Sequence, residues 1–186
     1  MRPRRVLADR WGVTDAEVAL EYGCDDVLSD APMQAWRGVT VDAPADVVWA
    51  WVRQLRLAPY SYDWVDNLGR RSPRVRADLP DPVVGAVFMT AMGRQVGRVL
   101  AVEPGRELTA RIGPAVMSYR VEPVGQGRTR LLLKLVSRGS RPFVDLLSLG
   151  DLPMARRQLL NLKALAEGEA HGRGLGVGPA TTPDET

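Results

Sequence analysis

Asp63, Tyr60 and Tyr62 are the residues whose types and order suit proton transfer. They fall in the run Tyr60-Ser-Tyr-Asp-Trp-Val-Asp-Asn-Leu68, where a carboxylate desolvated against Trp64 would have its pKa raised toward the range of a general acid or base. The competing role for Asp63 is local: it begins a short helix and its carboxylate would cap that helix by accepting backbone N–H groups. Two other polar residues stand among apolar ones. Tyr119 shares strand parity with Met117 and Val121, and its buried hydroxyl requires a partner, either as a ligand-orienting group or as a core tyrosine reaching the sheet rim. Gln158 lies within the apolar arc of a helix, where an unpaired amide costs ~1–3 kcal/mol. A cavity, a water or a ligand would satisfy it, unless it sits at the edge of the stripe. Met89, Met92, Met117 and Met154 supply adaptable side chains for an apolar guest, or ordinary core filler.

Composition narrows the chemistry. The chain of 186 residues has 45% hydrophobic residues and a net charge of +3, which suits one self-folding domain and gives little reason to expect nucleic-acid binding. One His and one Cys are too few for a histidine-rich metal site or an internal disulfide. No metal and no cofactor are expected, and a reducing cytoplasm is the expected compartment. His171 falls in an expected tail, which removes a Ser-His-Asp or Cys-His arrangement. The basic N-terminus lacks the apolar stretch of an export signal, and no apolar run approaches the ~20 residues of a membrane span.

Elements follow from pattern. Residues 1–34 read as an N-terminal arm in which Thr14-Asp-Ala-Glu17 opens a short helix through about Tyr22, ended by Gly23. Ala35, Val39 and Val41 share the parity of a half-buried strand. Pro44 suits the start of a helix on which Val47, Val48, Trp51, Val52 and Leu55 form one stripe. Trp49 points off that stripe and calls for a cover, from the arm or from a second subunit, which leaves a homodimer open. Arg70 to Pro82 reads as an exposed Arg-rich loop. Turn signals at Gly93, Pro104-Gly105, Gly113-Pro114, Gly125-Gln-Gly127 and Gly139 then mark a five-strand antiparallel meander. Parity gives it an apolar face carrying Met117, Tyr119, Leu131, Leu133 and Leu135, and a wet face carrying Ser118, Arg120, Arg130 and Lys134. Phe143 to Glu167 is expected to cover the sheet as a helix kinked or broken at Gly150 and Pro153. Residues 35–168 form the domain and 169–186 a disordered tail.

Three blocks carry a resemblance: Trp36-Arg-Gly-Val-Thr-Val-Asp-Ala-Pro-Ala-Asp-Val-Val-Trp-Ala-Trp-Val52, the Tyr60–Leu68 run, and Arg156-Arg-Gln-Leu-Leu-Asn-Leu-Lys-Ala-Leu-Ala-Glu167. They resemble a bacterial subgroup of the SRPBCC superfamily, the START-like and polyketide-cyclase-like proteins, over roughly Trp11 to Glu167. The resemblance implies an α+β helix-grip fold, a curved antiparallel sheet around a long C-terminal helix with a cavity between them. It also implies an apolar or amphipathic small-molecule partner such as a lipid or polyketide.

Three functions fit these readings. The first is binding in that cavity, with Trp51, Tyr60, Tyr62, Met89, Met117, Tyr119, Met154 and Gln158 as wall residues. The second is a cyclase- or dehydratase-like enzyme using Asp63 or a tyrosine such as Tyr62. The third is a partner-binding module with a filled core, exposed Trp49 and the Arg70–Arg76 loop.

Overall fold

Alternating apolar residues build the sheet, and the sheet positions everything else. The computed structural model describes residues 9–138 and 141–174, without the side chains of 65–66, 141–151 and 173–174. The expected meander is present as β3 (Val87–Ala91), β4 (Arg94–Glu103), β5 (Glu107–Ile112), β6 (Ala115–Pro123) and β7 (Thr129–Ser137), each antiparallel to the next. The turn at Gly139 lies outside the described residues. β2 (Met33–Val41) pairs antiparallel with β7, from Met33 opposite Ser137 to Val41 opposite Thr129, so the start of the domain closes onto its last strand. With the short parallel strand β1 (Arg10–Trp11) the order is β1-β2-β7-β6-β5-β4-β3.

The inner face of this curved sheet holds the main core. Pro44 caps α3 (Ala45–Val52), which continues into a single 3-10 turn at Arg53–Arg56, and all five residues of the expected stripe are buried. A one-turn helix, α4, spans Asp63–Asp66. α5 (Arg141–Gly174) crosses the sheet as one continuous helix with Pro153 inside it. Ala155, Leu159, Leu162 and Ala166 are its buried face, spaced at the three- and four-residue steps that keep side chains on one side of a helix. The expected break at Gly150 and Pro153 therefore does not divide it. The helix also runs past residue 168, so residues 169–174, including His171, are helical rather than tail. The imidazole Nδ1 of His171 lies 2.7 Å from the Glu167 carbonyl oxygen. The rest of the expected tail, 175–186, lies outside the described residues.

The outer face corrects the sequence reading. Ser118, Arg120 and Lys134, expected to be wet, are buried, together with Trp36, Val116, Leu132 and Val136. The N-terminal arm covers them. The Thr14 capping box opens α1 (Asp15–Val18) as expected, but Gly23 begins a second helix, α2 (Gly23–Val27), instead of ending the first. Tyr22, Cys24 and Leu28 pack with Trp36 and Leu132 into a second apolar cluster. The arm anchors through Arg130, whose guanidinium donates to the Glu17 carboxylate at 2.6 and 3.0 Å, and through Lys134, paired with Asp25 at 2.5 Å. Close approach demands glycine at Gly38 in β2, where a Cβ would lie 2.9 Å from both Val13 and Leu132 side chains.

Trp49 is covered, but not by the arm. Its indole nitrogen donates to Asp81 at 2.7 Å, and the segment leading there is strapped along α3 and the 3-10 turn. Arg53 donates to the Leu79 carbonyl, and the buried Gln54 amide both donates to the Ala77 carbonyl and accepts from the Ala77 N–H. The expected free loop is therefore pinned over residues 77–81, while Arg70, Arg71 and Arg74 are exposed.

Candidate ligand-binding cavity

Between α5 and the sheet lies a cavity of about 310 Å³. Cross-strand register builds one wall: Met89 stands opposite Val96, Met117 opposite Leu135, and Tyr119 opposite Leu133. All six side chains line the space, and Met154, Ala155 and Gln158 close it from the helix. The volume falls at the small end of the ~300–1,000 Å³ usual for ligand sites. Because each lining methionine has three rotatable bonds and a polarisable sulfur, this wall adapts its shape cheaply.

One polar pair interrupts the apolar lining. The Tyr119 hydroxyl donates to Gln158 Oε1 at 2.7 Å, and Gln158 Nε2 donates to the Pro59 carbonyl at 2.5 Å. Both residues are buried, at 2% and 6% exposure. The amide thus finds its partners in the protein itself, and the bridge ties β6 through α5 to the segment before α4. Tyr119 is the cavity's one titratable lining group among the described residues.

The other expected site residues lie on the far side of that segment. A cleft of about 510 Å³ between α4, residues 72–74 and the outer face of α5 is lined by Tyr60, Tyr62 and Asp63 among others. Asp63 does not cap its helix, whose N-cap is Tyr62; its carboxylate accepts from the Ser72 N–H at 3.0 Å and the Ser72 hydroxyl at 2.6 Å, pinning the following loop. Tyr60 has a φ of 56° and is 1% exposed. Asn161 holds its carbonyl at 2.9 Å, and its ring meets Trp51 edge-on at 6.2 Å. Its hydroxyl has no hydrogen-bond partner among the described residues, and burial, reinforced by the Asp63 charge, pushes its pKa up to about 12. Trp51 borders a third recess of about 460 Å³, where its indole nitrogen donates to Glu169 at 2.9 Å and Arg76 pairs with the same carboxylate at 3.1 Å.

The structure therefore brings Met89, Met117, Tyr119, Met154 and Gln158 together and sets Trp51, Tyr60 and Tyr62 apart from them. Sequence reasoning missed Pro59, Ala91, Val96 and Ile112, which also line the cavity. Ala91 shares parity with Met89, and Val96 follows once the Gly93 turn fixes the register. For Pro59, in irregular backbone, the sequence held no signal.

A seven-stranded sheet gripping a long C-terminal helix, with a cavity between them that opens beside the exposed Met92, defines an α+β helix-grip protein. The chain belongs to the polyketide cyclase / dehydrase and lipid transport family, whose model matches residues 35–167. Among solved structures it is similar to the di-domain ARO/CYC protein BexL of the BE-7585A biosynthetic pathway, with 18% identity and a TM-score of 0.48 over 72% of this chain. It spans 46% of that di-domain chain. The Zhui aromatase/cyclase from Streptomyces sp. R1128 shares 18% identity at a TM-score of 0.43, over 79% of this chain and 98% of that one. A polyketide-cyclase-like protein from Corynebacterium glutamicum shares 20% identity at 0.45, over 73% and 92%. No curated protein matches the sequence. Among the described residues no helix is long and apolar enough to cross a membrane.

Proposed function

We propose that the protein encloses an apolar or amphipathic small molecule, lipid- or polyketide-like, in the cavity between α5 and the sheet. The observation that carries this reading is the lining: an apolar wall rich in methionine, with a single polar bridge, Tyr119–Gln158, whose remaining amide N–H and oxygen lone pairs can meet one polar group of a guest. Burial of the guest's apolar surface supplies the affinity, and the bridge supplies the orientation.

Binding is favoured over turnover because general acid–base chemistry needs a proton donor or acceptor within reach of the guest. Tyr119 is the one titratable lining group among the described residues, and Asp63 lies in the neighbouring cleft with both carboxylate oxygens engaged by Ser72. The partner-binding reading loses its exposed indole, since Trp49 is 5% exposed.

Native mass spectrometry of the purified protein, followed by denaturation and identification of any released compound, tests the proposal. A retained apolar molecule, lost in Ala91→Trp, is the expected result. Absence of any retained compound, together with no thermal stabilisation by a panel of fatty acids and polycyclic phenols, would overturn it.

A further inference from the structure

The 510 Å³ cleft outside the cavity has a chemistry of its own. Its walls include two aromatic side chains, Tyr62 and Trp64, which are 36% and 76% exposed. Large aromatic faces left this open lose favourable burial unless something flat covers them. Two guanidiniums, Arg74 and Arg157, line the same cleft, and among the described residues neither has a carboxylate partner. Arg157 lies over the Tyr62 ring at 5.9 Å.

Tyr60 lines the cleft, and its hydroxyl lies buried, out of contact with solvent. It is unpartnered among the described residues, a state that costs ~1–3 kcal/mol. Its raised pKa, about 12, keeps it a neutral donor across the physiological range. Asp63 is the one carboxylate among the described lining residues, and Ser72 engages both of its oxygens. Two arginines against one carboxylate leave the described lining residues net positive.

We infer that this cleft is a second binding site, separate from the internal cavity, for an aromatic carboxylate: a flat ring against Tyr62 and Trp64, with its anionic group held by Arg74 and Arg157. The guanidinium fork matches a carboxylate in plane and charge. Ring stacking alone would take neutral and anionic compounds alike, so the arginines set the preference for the acid. The inference stands apart from the proposed function, because the linings of the cleft and the cavity share only Ser61 among the described residues.

The test is calorimetric titration of the full chain with 2-naphthoate and with its neutral counterpart 2-naphthalenemethanol, repeated on Arg74→Gln, Arg157→Gln and Ala91→Trp. Both arginines are exposed, so these substitutions leave the core intact. The expected result is that the acid binds about tenfold or more tighter than the alcohol, and that each arginine variant weakens the acid about tenfold. Ala91→Trp, which blocks the internal cavity, leaves acid binding unchanged. Equal affinity for acid and alcohol, indifference to both arginine variants, loss of acid binding in Ala91→Trp, or no heat of binding at millimolar acid would each overturn the assignment.

Discussion

A glutamine on the apolar face of a helix is stabilising only when both ends of its amide are met, and Tyr119 and Pro59 meet those of Gln158. Replacement by leucine keeps the volume but removes the amide from the Tyr119 hydroxyl, which keeps only weaker contacts such as Met117 Sδ at 3.8 Å, and from the Pro59 carbonyl. Gln158→Leu is expected to lower stability by about 2 kcal/mol in urea denaturation, and a loss within experimental error would show that water already serves these groups. Cys24 makes the second prediction at this scale. Burial pushes its thiol from 9.0 up to about 12, and burial with the Asp63 charge raises Tyr60 from 10.0 to about 12. Below about pH 8 both groups hold their protons in folded and unfolded chains alike. Between about pH 9 and 12 the unfolded chain releases protons that the folded chain keeps, so stability falls as pH rises, by about 1.4 kcal/mol per unit for each such group. Cys24→Ala should move the onset of this alkaline loss from near pH 9 to near pH 10 in urea titrations at stepped pH. An unmoved onset would mean that the thiol titrates normally.

At the scale of elements, the N-terminal arm is a structural layer whose docking buries Lys134. Its side chain is 5% exposed, and the ammonium pairs with Asp25 and lies 4.9 Å from the Trp36 ring and 5.4 Å from that of Tyr22. Removing either partner strands the other charge, and the cost depends on which is left: Lys134 would be stranded at 5% exposure, whereas the Asp25 side chain is 27% exposed, reaches water and also accepts from the Tyr22 N–H. Asp25→Ala is therefore expected to cost about 2–4 kcal/mol, and Lys134→Met to stay within about 1 kcal/mol of the native protein. The reverse order in denaturant midpoints would show that the cation–π contacts, not the ion pair, hold the arm. The meander and the capping box were legible because turn residues and caps are local signals. The cover over the outer face was not, because Ser118, Arg120 and Lys134 look solvent-facing until partners about a hundred residues away are brought to them. One signal was present: Leu131, Leu132, Leu133, Leu135 and Val136 make β7 apolar on both faces, which marks a strand covered on both sides. The cavity's sheet wall was legible through parity. Tyr60 and Tyr62 were not placeable that way, since the positive φ at Tyr60 breaks the alternation on which parity rests.

For the whole molecule, an apolar cavity of about 310 Å³ is space that core packing has not filled, and the side chains around it forfeit contacts they would otherwise make. A fold selected for stability alone would close it. Ala91 shares the inward parity of Met89, and it is only partly buried, so a large ring there enters the space without displacing the core. Ala91→Trp is thus expected to raise the thermal stability of the ligand-free protein, on the order of 1 kcal/mol as cavity-filling changes commonly do, while abolishing the thermal shift produced by an apolar ligand. Scanning calorimetry with and without the ligand reads both effects on one sample. A lowered transition temperature would mean that the walls already meet in solution, leaving the ring no room. A raised temperature with the ligand shift intact would move the guest to another site. Gain of stability coupled to loss of binding is the signature of a cavity kept open for an occupant.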